Sequence, residues 1–186
     1  IVIRSTTNEI SKVIPAVNGS DRLFPGPQGF LLCRNDEKVF LFHVAQRAVT
    51  AEVSAPKTKY VTWDKDHSKA ALQSKTSITV VTRKMKPITT ITESRMKSCC
   101  FDEENDTLYY TTLHHLKYCS LRTGETGTIR TLSDPIYLLK AKGDTFWYLS
   151  REGKVTESAL DNTELNFKTA LHQERFREVL KIIQQK

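Results

Sequence analysis

The chain has 186 residues and carries 28 Lys and Arg against 21 Asp and Glu, which gives a formal net charge of +7. Its 39% of hydrophobic and 26% of charged residues are values of a folded domain and exclude a chain that is disordered throughout. Seven Gly and six Pro exclude a collagen-like sequence, and the longest apolar run, at residues 39–44, is too short to span a bilayer.

A repeat of 38 residues organises most of the chain. Three separate tracks of β-branched, aromatic and other apolar residues recur at this spacing. The clearest track lies at residues 41–44, 79–82, 117–120 and 155–158. Each copy consists of short apolar segments separated by polar or Gly-containing turns, which is the pattern of antiparallel strands joined by hairpins. Four-stranded units at a period of about 40 residues are typical of β-propeller blades.

The predicted strands follow in chain order. Residues 1–14 are expected to form the last two strands of an earlier blade, because residues 2–4 lie 38 positions before residues 40–42. Four further blades follow, and the last of them lacks a regular fourth strand. In the third copy we expect strands at residues 98–101, 107–112, 116–121 and 127–132. An arc of blades that starts inside a blade predicts a piece of a longer polypeptide.

The period changes after Leu160, where apolar residues begin to recur at helical spacing. Asp161 and Glu164 stand in the order of a capping box, which predicts the start of a helix. We expect a short helix at residues 164–171 and a second helix at residues 174–184. Six apolar residues form a stripe that predicts a helix-packing interface: Phe167, Leu171, Phe176, Val179, Leu180 and Ile183.

These patterns divide the chain into two regions. Residues 1–160 are predicted to form a partial β-propeller of the WD type, built from four-stranded blades with a period of 38 residues. Residues 161–186 are predicted to form a short C-terminal helical segment whose apolar stripe packs against neighbouring helices. The predicted fold class is therefore mainly β.

The four cysteines indicate the compartment. Cys33, Cys99, Cys100 and Cys119 include no pair with the Cys-x-x-Cys spacing of zinc knuckles and redox motifs. Cys99 and Cys100 are adjacent in a predicted strand, so their side chains point to opposite faces and a bond between them is disfavoured. We expect free and mostly buried thiols in a reducing compartment, which indicates a cytoplasmic protein.

The sequence contains no motif that indicates catalysis or a bound cofactor. Residues 64–68 resemble the start of a calcium loop, but Lys69 and Lys75 stand where such a loop needs Gly and Glu, so we predict a hairpin turn. His114 and His115 would point to opposite faces of a strand and cannot share a metal ion there. We therefore predict neither an enzyme, nor a metal site, nor a cofactor.

The positive charge is scattered along the chain. Only the run Arg-Lys-Met-Lys at residues 83–86 is a cluster, and patches that bind phosphate groups usually have longer runs of like charge. A basic propeller that binds nucleic acid or anionic phospholipid is therefore the alternative function. It is supported by the net charge and by this one run.

Several segments resemble the alpha subunits of coatomer, a vesicle coat. They include residues 59–63, 116–118, 123–125, 127–132, 135–137, 163–171 and 178–180. The resemblance covers essentially the whole chain, whereas residues 19–29 depart more from the family pattern. The related beta-prime subunits share the architecture but tend to carry a longer insertion before the blade that begins near Ser98, so the alpha family is favoured.

In this family two N-terminal propellers precede an α-solenoid. The resemblance implies that residues 1–160 are most of the second propeller and that residues 161–186 start the solenoid. It implies a structural scaffold in Golgi-to-endoplasmic-reticulum retrograde and intra-Golgi vesicle transport. The implied partners are other coatomer subunits, beta-prime and epsilon foremost, without nucleic acid. The implied location is the cytoplasm, peripheral on Golgi membranes and coat vesicles.

Overall fold

The computed structural model describes residues 1–184 and contains five antiparallel sheets followed by two helices. The first sheet is a hairpin of β1 (Val2–Arg4) and β2 (Ile10–Val13). The helices are α1 (Thr163–His172) and α2 (Phe176–Gln184). Gln185 and Lys186, which the predicted helical segment included, lie outside the described residues.

The other four sheets lie between the first hairpin and the helices, and we number them as blades 1 to 4. Blade 1 comprises β3 (Arg22–Pro25), β4 (Phe30–Arg34), β5 (Lys38–His43) and β6 (Ala48–Ser54). Blade 2 comprises β7 (Tyr60–Trp63), β8 (Lys69–Gln73), β9 (Ser77–Thr82) and β10 (Pro87–Thr92). Blade 3 comprises β11 (Ser98–Phe101), β12 (Thr107–Thr111), β13 (His115–Ser120) and β14 (Thr126–Thr131). Blade 4 comprises β15 (Tyr137–Lys142), β16 (Thr145–Leu149) and β17 (Val155–Ala159).

The predicted fold class, a mainly β partial propeller, is confirmed. In every blade consecutive strands pair with each other, as successive hairpins require. The first strand of blade 3 is Ser98–Phe101 as expected, and the other strand ends of this blade lie within one residue of the prediction. Blade 4 has three strands, which confirms the prediction that its fourth strand is not regular.

The hydrophobic core lies between the blades, because each sheet has apolar side chains on both faces. Cys99 packs in a cluster shared with blade 2, whereas Cys100 packs in a cluster shared with blade 4. This alternation confirms that the two thiols point to opposite faces, and all four cysteines are free and buried. Every residue of β12 is buried, so blade 3 is covered on both sides.

The two ends of the stack of sheets are open. In the N-terminal hairpin Val13 is 65% exposed, and in blade 4 Val155 is 57% exposed. Both ends of the stack therefore present exposed apolar side chains.

Hydrogen bonds between the blades join residues about one repeat apart. The indole Nε1 of Trp63 donates to the carbonyl oxygen of Pro25, 38 residues earlier, at 2.9 Å. The backbone N–H of Leu138 donates to Oγ of Ser98, 40 residues earlier, at 2.8 Å. Because each bond crosses from one blade to the next, it fixes the position of the strands in neighbouring sheets relative to each other.

Ion pairs also cross between blades. Nζ of Lys69 in blade 2 lies 2.5 Å from Oδ1 of Asp106, in the β11–β12 turn of blade 3. Nζ of Lys140 in blade 4 lies 3.0 Å from Oε1 of Glu103 in the same turn. The hydrogen bond from Lys69 lowers the pKa of Asp106, and the one from Lys140 lowers the pKa of Glu103. The turn thus binds a cation from each neighbouring blade.

The hairpin turn predicted at residues 64–68 is confirmed. Oδ1 of Asp64 accepts the backbone N–H of Ser68 at 2.7 Å and that of Lys69 at 3.1 Å. Oδ2 of Asp64 accepts the hydroxyl of Ser68 at 2.5 Å. The carboxylate therefore stabilises the turn between β7 and β8.

Replacing Gly127 with Ala is expected to destabilise blade 3. Gly127 pairs with Tyr118 across β13 and β14, and a Cβ there would lie 2.4 Å from the ring of this buried Tyr. We expect Gly127→Ala to lower the free energy of unfolding by about 1–3 kcal/mol, as overpacking does. Thermal unfolding measures this, with Thr128→Ala at the neighbouring exposed position as the control. Equal melting temperatures for the two variants would contradict the prediction.

The ion pairs predict a dependence of stability on pH. Because the folded state lowers the pKa of Asp106, its ionised form stabilises the fold above the unfolded pKa of roughly 4. This contribution is lost as the pH falls through the lower folded pKa. We expect the melting temperature of Asp106→Asn to change less than that of the parent protein between about pH 6 and pH 3. Asp66→Asn, at an exposed position in the β7–β8 turn, is the control and should follow the parent curve.

Candidate functional site: the junction of blades and helices

The junction between blade 4 and α1 contains a buried polar side chain, that of Asn162, which is 7% exposed. Its Nδ2 donates to the carbonyl oxygen of Gly143 and to Oδ1 of Asp144, both at 3.1 Å. Its Oδ1 accepts the hydroxyl of Tyr109 at 3.0 Å. Gly143 and Asp144 form the β15–β16 turn, whereas Tyr109 lies in β12. One residue therefore joins the start of the helix to two blades.

The start of α1 differs from the prediction. Its N-cap is Asn162 rather than Asp161, and the Asn162 side chain makes no capping bond because its polar atoms bind the blades. Oδ1 of Asp161 accepts the backbone N–H of Thr163 at 3.1 Å. The capping box predicted from Asp161 and Glu164 therefore placed the N-cap one residue too early.

The first turn of α1 packs onto blade 3. The hydroxyl of Tyr118 donates to Oε1 of Glu164 at 3.3 Å, and Nζ of Lys168 lies 2.6 Å from the same oxygen. The hydrogen bond with Glu164 raises the pKa of Lys168, whereas burial raises the pKa of Tyr118. At neutral pH the ammonium and the neutral phenol therefore persist together. Beside them Leu165 is buried in the same cluster as Phe146 of blade 4.

The second helix packs against the first after a break in the backbone. Glu174 has a positive φ of 57°, so the helix begins at Phe176 and not at residue 174 as predicted. The N–H of Arg175 donates to the carbonyl oxygen of Ala170 at 2.9 Å, which closes the break. Ala170 in α1 and Val179 in α2 are both buried.

The six residues of the predicted helix-packing interface fall into two groups. Val179 is buried and Phe167 is half-buried within the described structure. The other four are exposed by about half or more: Leu171 by 48%, Phe176 by 60%, Leu180 by 58% and Ile183 by 57%. We call these four residues the exposed helix face. Phe176, Leu180 and Ile183 follow the spacing that aligns side chains on one side of a helix.

An open cleft of about 770 Å³ lies between the helices and the turns of blade 3. Its wall includes Asp106 and Arg122 of blade 3 and Arg175 and Glu178 of the helices. Arg122 lies 3.5 Å from Asp106, and Arg175 lies 2.7 Å from Glu178. Because these charges are paired within the wall, the cleft is polar but has no concentrated charge in the part of the chain that the structure describes.

The histidines, carboxylates and thiols of the described residues form no cluster around a metal ion, and two of the buried thiols have raised pKa values. Among residues 1–184, no three His, Cys, Asp or Glu side chains are arranged to hold a metal ion. Burial raises the pKa of Cys99 to about 12 and that of Cys119 to about 11. Both thiols are therefore neutral and weakly nucleophilic near pH 7. Neither of the two helices described has the length and apolar character needed to cross a membrane.

The basic run at residues 83–86 is the turn between β9 and β10. Met85 has a positive φ of 59° and is only 2% exposed, so its side chain anchors the turn in the core. Arg83, Lys84 and Lys86 are exposed around a shallow hollow of about 390 Å³. None of the three cations forms an ion pair within residues 1–184.

Asn162 is the residue of the junction that sequence reasoning missed. Its position before a helical pattern is a signal for an N-cap, because Asn is a favoured residue there. Its contact with Tyr109, however, spans 53 residues. A local pattern contains no information on such a contact.

Comparison with known protein families gives one match that covers most of the chain. A family model described as the COPA/B second beta-propeller matches residues 1–150. Coatomer subunit alpha-1 of Arabidopsis thaliana is 38% identical over 184 residues, and coatomer subunit alpha of Saccharomyces cerevisiae is 34% identical over 184 residues. Each alignment covers 98% of this chain and 15% of the relative. The chain thus spans about 15% of the length of the curated relatives that it matches.

Solved structures support the architecture alone. Hsv2 of Kluyveromyces lactis superimposes with a TM-score of 0.59 at 14% identity, over 82% of this chain and 52% of the other. The computationally designed Ika4 protein superimposes with a TM-score of 0.58 at 8% identity, over 80% of this chain and 97% of the other. At such low identities these similarities concern only the fold.

Replacing Asn162 with Ala is expected to loosen the junction. The change leaves the hydroxyl of Tyr109 and the carbonyl oxygen of Gly143 without their partner, which costs about 1–3 kcal/mol for a buried polar group. We expect a lower melting temperature and faster proteolysis between blade 4 and α1. Asn166→Ala, at an exposed position of the same helix, is the control. If both variants are cleaved at the same rate, Asn162 does not hold the junction.

Proposed function

This chain belongs to the family of COPA/B second β-propellers, and we propose that it is a scaffold element of the alpha subunit of coatomer. The observation that carries the proposal is the Asn162 junction, which fixes the start of the helices to blades 3 and 4. Because these contacts fix the angle between the propeller and the helical segment, the position of one part of a coat subunit determines the position of the next. We propose that this role, rather than catalysis, is the function of the chain.

The exposed helix face is the proposed contact for further helices. Its four apolar side chains lie on a helical segment that packs against blades 3 and 4 at its start. Several apolar side chains on one side of a helix stabilise it only when another element covers them. In an α-solenoid each helical pair covers its neighbour, so residues 161–186 are proposed to start such a solenoid.

The proposed setting follows from the family. We propose that the subunit contacts other coatomer subunits, beta-prime and epsilon foremost, and that it binds no nucleic acid. It would act in Golgi-to-endoplasmic-reticulum retrograde and intra-Golgi transport, in the cytoplasm and at the periphery of Golgi membranes and coat vesicles. The names of the relatives support a place in coatomer, whereas the direction of transport and the named partners are part of the proposal.

Affinity purification of the full-length subunit tests the proposal. We expect the parent protein to recover other coatomer subunits, and Phe176→Ser combined with Leu180→Ser to recover several-fold less, because the exposed helix face loses its apolar contact. Arg177→Ser combined with Lys181→Ser changes two exposed polar residues of α2 and is the control. Recovery of nucleic acid in place of coat subunits by the parent protein would overturn the scaffold function.

A further inference from the structure

The fold brings together five cations that are scattered in the sequence. They lie at the end of blade 2 that holds the β8–β9 turn: Lys57, Lys59, Lys75, Arg95 and Lys97. We call these residues the basic end of blade 2. Successive turns of an antiparallel meander lie at opposite ends of the sheet, so the turn at residues 83–86 lies at the other end.

Backbone hydrogen bonds hold the segments of the basic end against one turn. The N–H of Lys59, in the connection that enters blade 2, donates to the carbonyl oxygen of Gln73 at 2.7 Å. The N–H groups of Glu93 and Met96, in the connection that leaves the blade, donate to the carbonyl oxygens of Thr76 at 3.0 Å and Lys75 at 3.1 Å. Three separate segments therefore meet at the β8–β9 turn.

The cations of the basic end have no direct carboxylate partner among the described residues, although the acidic β4–β5 turn of blade 1 lies beside Lys57. Within residues 1–184 none of the five cations forms an ion pair, whereas cations elsewhere do, such as Lys69 and Lys140. The carboxylate of Glu93, which lies in the same connection as Arg95, binds Lys117 of blade 3 instead. Lys57, Lys75 and Arg95 are exposed, and Lys59 and Lys97 are half-buried. This positive charge is available to a ligand.

An exposed aromatic residue lies on the strand that starts at the basic end. Tyr60 is the first residue of β7 and is 59% exposed. Tyr is enriched in surfaces that bind other proteins.

The charges of the neighbouring blade 1 favour an acidic peptide over an anionic membrane as the ligand of the basic end. At the same end of blade 1, the β4–β5 turn carries the exposed carboxylates of Asp36 and Glu37. The N–H of Lys57 donates to the carbonyl oxygen of Asp36 at 3.4 Å, so this acidic turn adjoins the basic end. A flat anionic membrane would meet both blades and would be repelled by blade 1. An extended peptide can lie on blade 2 alone.

We propose that the basic end of blade 2 binds an acidic, extended peptide segment of a partner protein. About four or five extended residues, at roughly 3.3 Å each, span the roughly 14 Å width of a four-stranded sheet. Such a segment can bring several carboxylates to the basic end. The inference rests on the proposed scaffold function and adds the chemistry of one contact.

The test uses the full-length subunit and a fluorescein-labelled peptide of eight glutamates. In the test variant, Lys59→Glu, Lys75→Glu and Arg95→Glu reverse three charges of the basic end. In the control variant, Arg83→Glu, Lys84→Glu and Lys86→Glu make the same change of charge at the other end of the same blade. We expect the test variant to bind the peptide about tenfold more weakly or worse, because each attraction becomes a repulsion. The control should stay within about twofold of the parent, since screening weakens charges beyond a Debye length.

Competition and co-purification separate the possible outcomes. Equal losses in both variants, or unchanged binding in the test variant, would overturn the inference. So would stronger displacement of the peptide by phosphatidylserine vesicles or by single-stranded DNA than by unlabelled peptide. If one of these results is obtained and the parent protein still recovers coat subunits in the affinity purification described above, only the inference about the basic end fails. If the parent protein recovers no coat subunits, the proposed function fails as well.

Discussion

Face-to-face packing of neighbouring sheets is the constraint on which the rest of the structure depends. A four-stranded sheet in this chain has apolar side chains on both faces, so one blade cannot bury its own core. Blade 3 satisfies the constraint fully, with Cys99 covered from one side and Cys100 from the other. The 38-residue period, the hydrogen bond from Trp63 to Pro25 and the exposed apolar side chains at both ends of the stack agree with it.

The helices depend on the same packing. Leu165 is buried in the cluster between blades 3 and 4, and Asn162 binds polar groups of both blades. The helical segment is thus placed by the blades and not by its own propensity. The exposed helix face is different, because the blades do not cover its four apolar side chains.

The sequence was sufficient for features that repeat or depend on near neighbours. The strands of blade 3 could be located to within one residue because alternation and turn residues recur in each copy. The position of the helix cap could not be located from the sequence, because the side chain of Asn162 accepts a hydrogen bond from Tyr109, which lies 53 residues away. The break at Glu174 was missed because a left-handed backbone at a Glu has no compositional signal. The basic end of blade 2 could not be predicted from the sequence either, because only the folded β8–β9 turn brings Lys59, Lys75 and Arg95 to one place.

The Asn162 contacts also determine how the molecule transmits mechanical force. A pull on the helices acts first on the chain between β17 and α1. The side chain of Asn162 diverts part of that pull to Tyr109, in the fully buried strand β12. Tension therefore passes from the helices to blade 3 in parallel with the three-stranded blade 4. Blade 4, which has only three strands, therefore shares the load with blade 3, which is covered on both faces.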